Sequence, residues 1–121
     1  MKKMQVVLNR DKVIREGIYD INQMQHVVDE VFVEENGLVK GDEGYYYAKE
    51  PDGAFERFMT ATFTLYDSDW LLDNVDTWIW YNSDDYPEED CVEDAKEFFL
   101  RWREERRQDE SRKRASQGAL L

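Results

Sequence analysis

The chain has 121 residues, the size of one domain, and carries 28 acidic against 16 basic side chains, a formal net charge of −12. The charge is uneven: residues 1–100 hold 24 acids and 9 bases, a net of −15, while the last 21 residues hold 7 bases and 4 acids, a net of +3. Such a body repels nucleic acid and anionic membranes and attracts basic surfaces, and its 41% hydrophobic and 14% aromatic content is too high for a disordered acidic chain.

Residues 3–8 (KMQVVL) read as a first strand. Residues 9–16 can form a helical turn, which Gly17 breaks. Asp20 with Gln23 three positions later is a capping-box pattern. Ile21, Met24, Val27, Val28, Val31 and Phe32 follow at helical spacing, predicting a helix over residues 20–35 that Asn36-Gly37 ends. Residues 44–49 (GYYYAK) read as a strand, and Pro51-Asp52-Gly53 as a turn. Residues 55–66 (FERFMTATFTLY) read as its return strand, because Met59, Ala61, Phe63 and Leu65 alternate with Thr60, Thr62, Thr64 and Tyr66.

A short helical turn around Trp70 (residues 68–73) leads into a further strand at residues 75–81 (VDTWIWY). After a loop at 82–85, Pro87 suits a first helical position, and Glu88, Glu89 and Asp90 suit the positive end of the helix dipole. Cys91, Ala95, Phe98 and Trp102 then share a face, predicting a helix over residues 88–107. The sum is an α+β domain over residues 1–107: an antiparallel sheet of three to four strands with two main helices packed on one face. Residues 108–121 read as a flexible polar C-terminal tail.

Residue chemistry argues against catalysis. The single histidine, His26, points off the apolar stripe of its helix, and the single cysteine, Cys91, lies on the apolar face of another. A Cys–His nucleophile would need the two side by side. One Cys and one His cannot make a structural zinc site. The EF-hand pattern fails as well: counted from Asp67, the sixth and twelfth positions are Leu72 and Trp78, and from Asp69 they are Asn74 and Trp80. The six glycines form no phosphate-binding loop. No enzyme activity, metal or cofactor is therefore expected. With one cysteine, no signal-peptide pattern and no run approaching the roughly 20 apolar residues of a membrane span, the expectation is a cytoplasmic protein.

The sequence points instead to binding a protein partner that bears a basic surface, with no direct contact to nucleic acid or membrane. The candidate contact residues are the carboxylates Asp67, Asp69, Asp73, Asp76, Asp84 and Asp85, together with Trp78 and Trp80, which share one face of their strand. In the sharper reading the chain is an inhibitor whose carboxylates occupy a nucleic-acid-binding site, a composition shared with anti-restriction, anti-CRISPR and nuclease-immunity proteins. In the alternative it is an accessory module or homodimer that uses an aromatic sheet face.

Overall fold

The computed structural model describes residues 2–82 and 92–119. Strand β1 (Lys2–Leu8) leads into helix α1 (Arg10–Glu16). Asn9 caps α1 by accepting from the Lys12 amide (3.2 Å), and Gly17 closes it in the left-handed conformation (φ 66°). Helix α2 (Ile21–Asp29) begins where the capping pattern predicts: the Asp20 carboxylate accepts from the amides of Asn22 (2.9 Å) and Gln23 (3.0 Å). It continues as a π-helical turn over Glu30–Glu35, so the predicted 20–35 run is unbroken but widens at its end. Asn36 Nδ2 donates to the Val31 carbonyl (2.7 Å), satisfying an acceptor in that widened turn.

Strands β2 (Val39–Lys40) and β3 (Tyr45–Tyr47) form a hairpin. Gly44 is required in it twice over. Its φ is 81°, and a Cβ there would stand 2.6 Å from the Val6 carbonyl oxygen of the neighbouring strand.

Residues 54–66 correct the sequence reading. They form helix α3 (Ala54–Tyr66), not a return strand. The run FERFMTATFTLY satisfies two periods, and the helical one prevails: Ala54, Phe58, Ala61, Thr62 and Leu65 are the buried set, spaced four, three, one and three. Helix α4 (Leu71–Asn74) follows, then β4 (Val75–Asn82), β5 (Val92–Asp94) and α5 (Ala95–Ala119). Strands β2 and β5 bring the sheet to five strands, ordered β2-β3-β1-β4-β5 with every neighbouring pair antiparallel.

The last helix also differs from expectation. Residues 92–94 belong to β5, and Asp94 caps α5 by accepting from the Glu97 amide (3.0 Å). The predicted start at residue 88, with Pro87 and Cys91, lies outside the described residues. Residues 108–119, read as a tail, continue the helix for a total of 25 residues, roughly 37 Å. From Glu104 to Ser116 every side chain is exposed. Arg107–Glu104 (3.8 Å) and Arg112–Asp109 (3.6 Å) pair at i,i+3 along this stretch.

The helices pack on one face of the sheet. Phe32 stacks on Tyr46 (4.2 Å between centroids), Phe58 meets Trp80 (4.9 Å) and Phe99 meets Trp78 (5.0 Å). Met4, at the centre of β1, accepts at sulfur from Trp78 Nε1 (3.3 Å) and Thr62 Oγ1 (3.4 Å), so two buried donors are satisfied inside the core. Among the described residues no helix is long and apolar enough to cross a membrane.

Candidate binding surface

Strand alternation decides what the sheet presents. Met4, Val6, Tyr46, Trp78 and Trp80 point at the helices and are buried. Their neighbours point the other way. Pairing aligns them as a row across all five strands: Val39, Tyr47, Lys3, Tyr81 and Val92. A second row holds Tyr45, Gln5, Ile79 and Asp94, and a third holds Val7 and Thr77. The residues of the three central strands on this face are half-buried, whereas Val39 and Val92 on the edges are exposed. Among the described residues no helix covers this face.

The open face has internal order. The Lys3 ammonium lies 4.9 Å from the Tyr45 ring centroid and 5.0 Å from that of Tyr81, held by the negative faces of both rings. The two tyrosine rings are 6.1 Å apart, and Tyr45 and Tyr47 are 6.2 Å apart. The hydrogen bond with Tyr45, aided by burial, raises the Tyr81 phenol above its ordinary pKa. Two tyrosines under one lysine, with Tyr47 beside Tyr45, thus make an amphipathic patch: rings for packing, hydroxyls for hydrogen bonds.

Six of the eight predicted contact residues lie among the described residues. Trp78 is fully buried and Trp80 nearly so, on the helix-facing side; the sequence identified a face rich in aromatics but not which face meets water. Asp67, Asp69 and Asp73 come together at the α3–α4 corner. Asp67 and Asp69 line a notch shared with Arg103 and Arg106 of α5, and Asp73 pairs with Arg103 at 2.9 Å. Lys12 fixes this corner from α1, donating to the Asp73 carbonyl and to Asn74 Oδ1 (3.2 Å). One of the six carboxylates, Asp73, is therefore paired within the chain, and Asp67 and Asp69 share a notch with two arginines. Asp76 stands apart and exposed, where the β1–β4 register shifts between Val7 and Leu8. Asp84 and Asp85 lie outside the described residues.

Reading the sequence misses two features. One is a polar cluster on the inner side of β3: the Tyr46 hydroxyl donates to Asp29 Oδ1 (2.5 Å), Gln25 Nε2 donates to the same oxygen (3.1 Å), and Lys40 Nζ donates to Oδ2 (2.7 Å). Burial alone would raise the Asp29 pKa, but the hydrogen bonds from Lys40, Tyr46 and Gln25, with the Lys40 charge, outweigh it and hold the carboxyl below its usual value. Burial first, then Asp29, pushes the Tyr46 phenol well above its ordinary range. The other is an aromatic groove between α3 and α5, hidden from the sequence because residues 55–66 alternate like a strand.

His26 is exposed beside Glu30 (4.0 Å). Among the described residues no group of three or more His, Cys, Asp or Glu side chains is arranged to hold a metal ion. No family model, curated protein or solved structure matches this chain.

Proposed function

We propose that this chain is a non-enzymatic acidic binding protein that docks a partner protein bearing a basic surface, with the open sheet face as its contact. The observation that carries this reading is the row Val39–Tyr47–Lys3–Tyr81–Val92, which no described helix covers and in which Lys3 lies over the ring of Tyr81 and over that of Tyr45 in the next row. Tyrosine anchors rigid, amphipathic contacts at low entropic cost. The net charge of −12 supplies long-range attraction to a basic partner and speeds encounter more than it slows release. In its sharper form, the partner's basic surface is its own nucleic-acid-binding site and the chain is an inhibitor. Asp76 and Asp94, exposed along β4 and β5, support that form better than Asp73, which pairs with Arg103, or Asp67 and Asp69, which share a notch with Arg103 and Arg106.

The test is capture from lysate at low salt with the native chain and with a Tyr47→Ala, Tyr81→Ala double variant. A partner held by the native chain, lost with the double variant and released at moderate salt supports the reading. Competition of that partner by DNA or RNA supports the inhibitor form. Equal capture by both chains, or capture of nothing, ends it.

A further inference from the structure

Helices α3 and α5 and the β4–β5 edge enclose a groove of about 520 Å³, within the roughly 300–1,000 Å³ of known ligand sites. Phe55, Met59 and Phe63 of α3 form one wall, Phe98 of α5 forms the other, and Trp80 lies on the floor. The pairing of Trp80 with Glu93 puts the Glu93 side chain on the same side of the sheet, so a carboxylate stands at the groove margin. Phe55, Phe63 and Phe98 remain 47%, 46% and 52% exposed, a great deal of aromatic surface to leave in water.

The chemistry of this lining selects a ligand class. Ring faces attract cations, and a carboxylate beside them adds charge neutralisation. A neutral apolar ligand would use the rings but leave Glu93 without a role; an anion would be repelled by Glu93 and by the field of the whole chain. A guanidinium satisfies both parts, since it stacks flat on aromatic rings and hydrogen-bonds a carboxylate with its edge. The chain does this elsewhere with its own cations: Lys3 sits over Tyr45 and Tyr81, and Arg106 over Trp102 at 6.0 Å.

We infer that the groove receives an arginine side chain from a basic peptide segment of a partner protein. The exposed rim continues past the groove to Trp102, 36% exposed, which is more surface than one side chain covers and fits an extended segment. This inference rests on the reading that the partner is basic, and it adds a second contact, separate from the open sheet face, with a stated residue type.

The experiment follows the methionine methyl signals by NMR while a hexapeptide of alternating leucine and arginine is added. Met59 lines the groove, and Met24, buried under α2, is the internal reference. The Met59 signal is expected to shift while Met24 stays still. A peptide with citrulline in place of arginine keeps the shape and loses the charge, and should bind at least about fivefold more weakly. Glu93→Gln should weaken the arginine peptide by a similar factor, whereas Glu34→Gln, which removes the same charge beside β2, should not. Phe98→Ala, at an exposed position, should weaken both peptides. Equal affinity for the arginine and citrulline peptides would show an apolar groove only. Equal losses in the Glu93 and Glu34 variants would show unspecific attraction by the acidic body. A silent Met59 would show no site. Each of these three results overturns the inference. The sheet-face reading is tested separately by the Tyr47, Tyr81 variant, which leaves every groove residue in place.

Discussion

The two faces of one sheet are built from the same five strands, yet they carry different aromatics. The face under the helices holds Trp78, Trp80 and Tyr46, all buried; the opposite face holds Tyr45, Tyr47 and Tyr81, half-buried around Lys3. Tryptophan brings more apolar surface and a single N–H to satisfy, which Met4 sulfur accepts from Trp78. Tyrosine brings a ring that packs along the sheet and a hydroxyl that stays near water. Tyr46 shows the cost of moving that hydroxyl inside: it needs Asp29 as acceptor, which in turn needs Lys40 and Gln25. The difference teaches that a face is assigned by what its polar tips can reach, and aromatic content alone does not reveal it.

The largest expected effect breaks the inner face. Trp78→Ala removes the ring between β4 and Phe99 and the donor to Met4, and should cost about 3–5 kcal/mol of stability, read as a lower urea midpoint. A loss below about 1 kcal/mol would mean that this ring is not part of the packed core.

The next effect concerns the polar tip on that face. Tyr46→Phe should cost about 1.5–3 kcal/mol, because the carboxylate of Asp29 loses a short charge-assisted hydrogen bond. The pH dependence has a definite sign. Asp29 has a folded-state pKa below its ordinary 3.8, so its contribution is fully present above that value and is lost as pH falls through the folded pKa. Urea midpoints at neutral pH and below pH 3.8 should therefore differ less in Asp29→Asn than in the native chain. An identical pH response in the two proteins would remove Asp29 from the account.

On the outer face, Tyr81→Ala loses cross-strand contacts with Tyr45 and Lys3 and should cost only about 0.2–1 kcal/mol. A cost as large as that of Trp78→Ala would mean that the outer face is a second core with a cover of its own.

The smallest effect sharpens the comparison by adding a region that belongs to neither face. The first turns of α5 press Ala95 and Phe99 against the sheet; from Glu104 to Ser116 the helix touches solvent all round. Removing residues 108–121 should move the urea midpoint by less than about 0.5 kcal/mol equivalent while lowering the helical circular-dichroism signal. An unchanged signal would mean that this stretch is frayed in solution, as the composition predicts.

The local signals proved legible because they are backbone chemistry: Asp20 and Asn9 capping their helices, Gly17 closing α1, and alternation in KMQVVL and VDTWIWY. Residues 55–66 were not legible, since Met59, Ala61, Phe63 and Leu65 alternate like a strand while Phe58, Ala61, Thr62 and Leu65 recur at helical spacing. The choice turned on the need to cover Met4 and Trp80, which lie far away in sequence. The groove between α3 and α5 goes unseen when this stretch is read as a strand. Asp67, Asp69 and Asp73 were visible as a cluster of acids, but Arg103 pairs with Asp73, and Arg106 shares a notch with Asp67 and Asp69, only because α5 passes the α3–α4 corner. By itself, then, the sequence determined the acidic charge, the α+β class, the caps and the alternation within strands, all of which depend on neighbours within a few residues. Only the tertiary structure decided which aromatic face is covered, which acids meet bases and where a groove opens, because burial and ion pairing depend on segments that the chain separates and the fold brings together.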